Sequence, residues 1–292
     1  MMMNKIALGT AQLGSNYGIA FTAQKITSEE FGKIMVTAQN NGITSLDTAI
    51  GYGDSQSILG DLGVRDWSIT TKLPSIPSNT NKIDAWYHEA IQSVLRDLQV
   101  TNIDTLLLHN SRDLIGDAGF KLRSLLLESR DLGLVKKIGV SIYEPEEITS
   151  FYNAFRPDVI QCPYNVFDQR ISSSGWLARL RSDDVEVHVR SVFLQGIILR
   201  DPSELDSYFS PWLKVFSKFS EFCESLSATK LETALAFVKA EASINKIIVG
   251  VEGLGQFEEI LSAYQKSIPK LFYGSCEDKG LVNPLMWEIG EC

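Results

Sequence analysis

The sequence predicts an α/β protein that forms a (β/α)8 barrel, as a single domain over residues 1–292. Short apolar runs rich in β-branched residues alternate with longer stretches whose apolar residues recur at helical spacing, and this alternation repeats eight times. No Gly/Ser/Pro-rich linker and no shift in composition divides the chain. A doubly wound open sheet would show the same alternation and is the structural alternative.

The predicted strands are short and nearly continuous in apolar residues, as is typical of parallel strands buried on both faces. In chain order they are KIALG (5–9), ITSLD (43–47), WSITTK (67–72), IDTLLLH (103–109), KKIGVS (136–141), PDVIQC (157–162), VEVHVRS (185–191) and KIIVG (246–250). Residues 81–100 and 119–133 show helical spacing between strands, and residues 192–245 hold at least two further helices.

Composition excludes several classes of partner. A net charge of -9 and a pI near 5.0 leave no basic surface for nucleic acid, and no apolar run is long enough to cross a membrane. The amino terminus lacks the features of a secretory signal. The cysteines are widely spaced without a C-x-x-C pair, which predicts neither a disulfide framework nor a metal site and favours the cytoplasm. They are Cys162, Cys223, Cys276 and Cys292.

The carboxyl ends of the predicted strands carry the candidate functional residues. In a barrel these ends meet at one rim, where active sites are built. Nearly every strand stops on a polar residue or a glycine, and three consecutive strands end on an acid, an amine and an imidazole. The end residues are Gly9 with Thr10, Asp47, Lys72, His109, Ser141, Gln161, Ser191 and Gly250.

Tyr52 follows Asp47 by five residues, between two glycines on the loop that leaves the second strand. Taken singly, Asp47 suggests a helix or turn cap, Lys72 a solvated strand end and His109 a hydrogen-bonded structural histidine. Together they predict an Asp47–Lys72 ion pair on one rim, with Tyr52 reaching back over it. A nearby ammonium favours the phenolate, so we expect Lys72 to lower the pKa of Tyr52 from about 10. Such a group suits proton donation to a carbonyl oxygen.

At this point the sequence resembles the aldo-keto reductase family over nearly its full length. The matching segments are IALGTAQLG (6–14), LDTAIGYG (46–53), TTKL (70–73), LLLHNS (106–111), KKIGVSIY (136–143), VIQCPYNVFD (159–168) and KIIVGVEGLGQFEEIL (246–261). The catalytic residues of that family match Asp47, Tyr52, Lys72 and His109 in order. The resemblance implies an NAD(P)H-dependent, metal-free reduction of an aldehyde, ketone or sugar-like carbonyl, in which Tyr52 protonates the oxygen and His109 positions it.

The resemblance also implies cofactor contacts. Ser141 and Gln161 would bind the nicotinamide carboxamide, while Ile142 stands where relatives have an asparagine. Arg190 stands where an aromatic ring often stacks on the nicotinamide; it could stack in the same way or form a salt bridge across the barrel mouth. The other residues assigned to the cofactor on this side are Gly9, Thr10, Asp47, Ser191 and Phe193.

The adenosine half of the cofactor would lie along residues 249–260, where we expect a helix beginning near Gly255. Gly250 permits close approach, and Gln256 and Glu259 match positions at the adenine end in relatives. Family habit favours NADPH. Glu252, however, stands where many relatives carry a basic residue, and a glutamate repels the 2′-phosphate or binds a bare 2′-hydroxyl, which favours NADH.

The resemblance places aromatic residues at the substrate pocket, although such residues are more often core. The pocket candidates are Tyr17, Tyr52, His109, Tyr143 and Tyr164, with the tail NPLMW (283–287) as a further possibility. Members of the family commonly carry a hairpin before the first strand, and we expect it to be absent here because four residues precede KIALG.

Two other functions are open at this stage. The same fold serves some relatives as a non-catalytic, cofactor-binding regulatory subunit. A barrel lyase would instead use Lys72 as a Schiff-base amine. We expect a small-molecule substrate and a monomer or weak homo-oligomer.

Overall fold

A computed structural model describes residues 3, 5–14, 25–78, 80 and 82–287. The described residues form eight parallel strands that close into a barrel in sequence order, with the last strand paired to the first. This confirms the barrel prediction and excludes the open sheet. The strands are β1 Ile6–Gly9, β2 Ser45–Asp47, β3 Ser68–Leu73, β4 Ile103–Leu108, β5 Val135–Ser141, β6 Val159–Pro163, β7 Glu186–Arg190 and β8 Ile244–Gly250.

The strand register brings the carboxyl ends to one level. Gly9 pairs with Asp47 on one side and with Gly250 on the other. On the far side of the barrel, Ser141 pairs with Gln161. The residues that end these strands therefore line a common rim.

Helices follow the strands and cover the outside of the barrel. The α-helices are α1 Ala11–Gly14, α2 Ser28–Asn40, α3 Ser55–Leu62, α4 Ile83–Asp97, α5 Gly116–Asp131, α6 Glu146–Phe151, α7 Arg170–Ser173, α8 Trp176–Ser182, α9 Leu213–Ser225, α10 Lys230–Ala240, α11 Leu254–Gln265 and α12 Lys279–Val282. Short 3-10 segments occupy Ser111–Leu114, Leu194–Leu199, Pro202–Glu204, Ser207–Trp212 and Pro284–Met286.

Local sequence explains where several helices begin. At α10, the Thr229 side chain accepts from the Glu232 N–H while the Glu232 carboxylate accepts from the Thr229 N–H, a complete capping box. In residues 192–245, where the sequence predicts at least two helices, the first α-helix begins at Leu213. Pro211 lies in the 3-10 segment before it. Proline has no N–H and therefore cannot donate a hydrogen bond inside an α-helix.

The core lies between the barrel wall and the helices. Phe167, which follows β6, packs edge-on against Phe216 and Phe219 of α9. Burial of such rings supplies the main favourable free energy of folding. None of the helices within the described residues is long and apolar enough to span a bilayer.

Candidate active site

A buried ion pair joins the ends of β2 and β3. The Nζ atom of Lys72 lies 2.5 Å from Oδ1 of Asp47 and donates to the Thr48 carbonyl at 2.9 Å. The Lys72 side chain is 1% exposed. Burial of a charge is tolerated when it is paired and hydrogen-bonded, so this geometry holds the ammonium at a defined point.

Tyr52 is placed by a close contact between two backbones. A Cβ atom added at Gly14 would lie 1.6 Å from the Tyr52 carbonyl oxygen, and one added at Gly53 would lie 2.5 Å from the Gly14 carbonyl oxygen. Gly53 has φ +56°, a conformation that favours glycine. A Cβ atom added at Gly51 would meet nothing within 4 Å, so Gly53 alone of the two glycines flanking Tyr52 is required by this contact.

The Tyr52 ring lies beside both Lys72 and His109. Lys72 Nζ is 5.2 Å from the Tyr52 ring centroid, and the rings of Tyr52 and His109 meet edge-on with centroids 6.2 Å apart. His109 directly follows β4, and its backbone N–H donates to the Leu73 carbonyl at 3.1 Å. The structure therefore brings Asp47 and these three side chains together.

The Tyr52 hydroxyl has a raised pKa, so the expected lowering is wrong. Burial is the main cause, and the Asp47 carboxylate adds to it, while Arg190 acts in the opposite direction. Lys72, which we expected to lower this pKa, is paired with Asp47. Like an ordinary phenol with a pKa of about 10, Tyr52 holds its proton at neutral pH.

The His109 imidazole is held neutral. Burial lowers its pKa to about 4, and the positive charges of Lys72 and Arg190 contribute. A neutral imidazole has one N–H donor and one acceptor nitrogen. It can therefore donate a hydrogen bond to an oxygen without carrying charge into the site.

Gln161, the third residue of β6, has one side-chain polar atom that is hydrogen-bonded and one that is not. Its Nε2 donates to Asp47 Oδ2 at 2.7 Å, and its Oε1 is buried with no hydrogen-bond partner among the described residues. A buried acceptor without a donor costs free energy, which a ligand N–H would recover. Ser141, also buried, lies level with it on β5.

A cavity of about 770 Å³, counted with the part open to solvent, lies over the rim. Asp47 and Tyr52 line it, together with six other residues that the sequence analysis assigned to the cofactor or the strand ends. The lining residues are Gly9, Thr10, Ala11, Gln12, Asp47, Tyr52, Arg190, Ser191, Val192, Phe193, Gln195, Gly196, Ile248 and Gly250.

The cavity wall after β7 has an unusual backbone. Ser191, Leu194 and Gln195 adopt positive φ values of 56°, 46° and 52°, although none of them is glycine. Such conformations cost free energy and cluster at functional sites. The Oε1 atom of Gln195 is also buried without a hydrogen-bond partner among the described residues.

Arg190 stacks on Tyr143. Its guanidinium carbon lies 4.1 Å from the Tyr143 ring centroid, and Nη2 donates to the Ile142 carbonyl at 3.0 Å. Across the described ranges, no carboxylate lies within ion-pair distance of Arg190. The salt bridge across the barrel mouth is therefore not formed, and Tyr143 is held beside the rim by this stack.

Two assignments to the substrate pocket lie elsewhere. Tyr164 is 5% exposed and its ring stacks on Phe237 of α10 at 5.2 Å, so it is a core residue and does not line the cavity. In the tail, Trp287 packs edge-on against Phe209 at 5.1 Å, while Leu285 is 72% exposed. Tyr17 lies outside the described residues.

The assigned adenosine segment lies at the junction of β8 and α11. Gln256 Oε1 accepts from the Glu252 backbone N–H at 2.8 Å, and Glu259 is exposed on α11. Burial raises the pKa of Glu252, while Arg200 acts in the opposite direction.

Sequence reasoning missed other cavity residues and one contact to α11. Gln12 and Gln195 line the cavity, and they stand three and four residues beyond predicted strands, which could have suggested them. Glu30 accepts from the Leu254 N–H at 2.9 Å across 224 positions of sequence, and no local pattern indicates that contact. No cluster of three or more His, Cys, Asp or Glu that could hold a metal occurs in the part of the chain that the structure describes.

The sequence model of the Aldo/keto reductase family matches residues 5–280. The aldo-keto reductase YhdN of Bacillus subtilis (strain 168) is 28% identical over 182 residues, which are 59% of this chain and 53% of that protein. The chain thus spans about half of that relative's length. Pyridoxal 4-dehydrogenase of Microbacterium luteolum is 20% identical over an alignment of 341 residues, covering 97% of this chain and 96% of that enzyme.

Solved structures of low sequence identity share the fold. The holo form of the aldo-keto reductase AKR11C1 from Bacillus halodurans superposes with a TM-score of 0.75 at 20% identity, over 91% of this chain and 88% of that one. The thermostable aldo-keto reductase Tm1743, in complex with the inhibitor epalrestat, gives 0.70 at 19% identity, over 92% of each chain. Because the family match extends over most of the barrel, this chain belongs to the aldo/keto reductase family and is an oxidoreductase.

Proposed function

We propose that the protein reduces an aldehyde, ketone or sugar-like carbonyl to an alcohol with NAD(P)H, and that Tyr52 supplies the proton. The observation that carries this proposal is the convergence of the Tyr52, His109 and Lys72 side chains with Asp47 beside a cavity. Proton donation to an oxygen that gains negative charge needs a positioned acid that holds its proton at the working pH.

The side chains divide that task. Tyr52 holds a proton at neutral pH, since the pKa of a phenol is about 10 and burial raises it. Lys72 places a positive charge beside the phenol, where negative charge develops when the proton leaves, and Asp47 keeps that ammonium in position. His109, neutral at physiological pH, can donate a hydrogen bond to the carbonyl oxygen and orient it towards Tyr52.

Residues of the strands and of the cavity wall fit a nicotinamide dinucleotide. Gln161 Oε1, which is not part of the cavity lining, is a buried acceptor that a carboxamide N–H would satisfy, and Ser141 lies beside it on β5. Gly9, Ser191 and Gly250 would hold the remainder along the wall. When bound, the cofactor supplies a hydride equivalent to the carbonyl carbon.

The lyase alternative is disfavoured by the state of Lys72. A Schiff-base lysine must reach its substrate as a neutral amine. Here the ammonium is 1% exposed and paired with Asp47 at 2.5 Å, which stabilises its charged form. The regulatory-subunit alternative does not account for a proton donor that is positioned by three other polar side chains.

We also propose a cytoplasmic location, because the cysteines fit a reducing compartment. Cys162 and Cys223 are buried free thiols in the described chain.

Replacement of Tyr52 by Phe tests the proposal. We expect Tyr52→Phe to reduce kcat for a panel of aldehydes and ketones by at least about 100-fold, because a general acid contributes roughly 100- to 10,000-fold. Cofactor affinity, measured by fluorescence titration with NADH and NADPH, should change little. As a matched control, Tyr273→Phe removes a hydroxyl from an 83%-exposed tyrosine and should leave kcat unaltered. Turnover by Tyr52→Phe close to that of the wild type would contradict the proposal.

A further inference from the structure

The amino terminus of α11 is capped by a carboxylate from a distant helix. Glu30 of α2 accepts a hydrogen bond from the Leu254 N–H at 2.9 Å, and a Cβ added at Gly253 would lie 3.6 Å from the same Glu30 oxygen. The first N–H groups of a helix lack partners within the helix and attract anions. This anion position is therefore already filled by a side chain of the protein.

The adjoining loop brings a second negative charge to the same place. Glu252 lies between β8 and α11, and its backbone N–H is bonded to Gln256 Oε1 at 2.8 Å. Two N–H groups that could bind a ligand phosphate, those of Glu252 and Leu254, thus have internal acceptors. The Glu30 carboxylate lies at the Leu254 N–H, and Glu252 stands two residues before Leu254 in the same loop.

Arg200 and Lys33 are positively charged residues near this junction, and both already interact with carboxylates of the protein. Arg200 acts electrostatically on Glu252. Lys33 is 2.9 Å from Glu29 and 3.7 Å from Glu30, so it is shared between two carboxylates. The excess of negative charge at this junction therefore disfavours binding of a phosphate, which carries about two further negative charges.

The junction is continuous with the cavity, because Gly250 lines the cavity and ends β8, four residues before α11 begins. In barrels of this type, phosphate groups are commonly bound by the loops after strands seven and eight and by an adjoining helix amino terminus. A dinucleotide held in the cavity would reach this junction with its adenosine end.

We propose that Glu30, acting with Glu252, makes this protein select NAD(H) over NADP(H) by occupying the α11 amino terminus and repelling a 2′-phosphate. The inference depends on the proposed use of a nicotinamide dinucleotide. Neither glutamate contacts the reacting atoms; Glu30 acts as a specificity residue contributed by α2.

A substitution that removes the negative charge of Glu30 but keeps its hydrogen-bond acceptor tests the contribution of that charge to cofactor selection. Glu30→Gln keeps an oxygen that can accept from Leu254, and Glu29→Gln is the matched control, since its 82%-exposed carboxylate lies one position away on the same helix. Dissociation constants for NADH and NADPH would be measured by fluorescence titration of the full-length protein. Parallel titrations with AMP and adenosine 2′,5′-bisphosphate probe the adenosine end without any reaction.

We expect the wild type to bind NADH more tightly than NADPH. Glu30→Gln should strengthen binding of NADPH and of the bisphosphate by roughly tenfold, which corresponds to about 1.4 kcal/mol, with little change for NADH and AMP. Glu252→Gln should act in the same direction, and Glu29→Gln should leave the ratio unchanged.

The possible failures are separable. Tighter binding of NADPH than of NADH by the wild type, or an unchanged ratio in Glu30→Gln, would overturn this inference and leave the proposed reductase intact. Binding of neither dinucleotide would overturn both. Unfolding temperatures of the variants, recorded without ligand, establish that each remains folded.

Discussion

The polar side chains at the rim lie close enough to interact electrostatically. Lys72 is buried and paired with Asp47, which holds the ammonium in position. The same positive charge, with that of Arg190, adds to burial in lowering the pKa of His109 to about 4. In the proposed reaction, the same ammonium would stabilise charge that develops on Tyr52.

His109 should make the stability of the protein depend on pH. Its pKa is about 4 in the folded chain and 6.5 as the ordinary value, so between these pH values the unfolded chain binds more protons. Stability is then complete above about pH 6.5 and falls, by up to about 3 kcal/mol, as the pH decreases towards 4. We expect His109→Gln to remove this loss. The measurement is the free energy of unfolding from urea denaturation at about pH 7, 6 and 5.

Carboxylates also titrate at the lower end of that range, so the comparison must be made between variants. His88→Gln replaces an exposed histidine on α4 and should leave the wild-type pH dependence in place. Identical pH profiles for His109→Gln and the wild type would show that the imidazole is not held neutral.

The loop between β2 and α3 owes its path to α1. Gly14, the last residue of α1, lies against the Tyr52 carbonyl, and Gly53 lies against the Gly14 carbonyl. Buried hydroxyls hold the base of the loop, since Ser55 Oγ donates to Thr10 Oγ1 at 2.8 Å. A short helix directly after the first strand thus positions the proposed proton donor carried by the second.

Gly14→Ala should disturb catalysis more than cofactor binding. The added methyl group would lie 1.6 Å from the Tyr52 carbonyl oxygen, so the loop must move. Displacement of a reacting group by about 1 Å can lower the rate roughly 100-fold, and we expect kcat to fall by that order. The measurement is steady-state reduction of the best carbonyl substrate.

Gly51→Ala is the matched control for this loop. It adds the same methyl group one residue before Tyr52, where nothing lies within 4 Å of the new atom. It should retain most of the wild-type kcat. Similar losses in both variants would mean that the contact with α1 does not place Tyr52.

A buried charged cluster ties the carboxyl-terminal segment to the barrel. Arg170, whose side chain is 9% exposed, bonds Asp168 through Nε and Nη2 at 2.8 Å each, and Glu144 through Nη1 at 2.6 Å. Lys279 of α12 reaches Glu144 at 3.0 Å from the other side. The loops after β5 and β6 and helix α12 are thus joined at one point.

Arg170→Ala should destabilise the whole molecule. It leaves the buried Asp168 carboxylate without its partner, and breaking a buried ion pair in this way costs about 3–5 kcal/mol. Lys279→Ala, which removes a 54%-exposed partner from the same cluster, should cost about 1 kcal/mol or less. Urea denaturation distinguishes the two, and equal effects would contradict a structural role for the Arg170 pair.

The location of the site was predictable because it depends on strand ends. Asp47, Lys72 and His109 lie within one residue of the carboxyl ends of consecutive strands, and a parallel barrel brings those positions to one rim whatever its side chains. Whether an individual aromatic residue lies at the rim or in the core was not predictable in the same way. Tyr143 and Tyr164 each follow a strand closely, yet one stacks on Arg190 at the rim and the other on Phe237 in the core.

Hydrophobic periodicity and strand ends are local properties of sequence, and they predicted the parallel strands and the residues at their carboxyl ends. They left closure into a barrel open, and the pairing of β8 with β1 decided it. Tertiary packing alone decided three further properties. It raised the pKa of Tyr52 through burial, it required glycine at Gly14, and it placed Glu30 on the amino terminus of α11. Each of these arises from contacts between segments far apart in the chain or from the exclusion of water, and neither leaves a periodic signal in sequence.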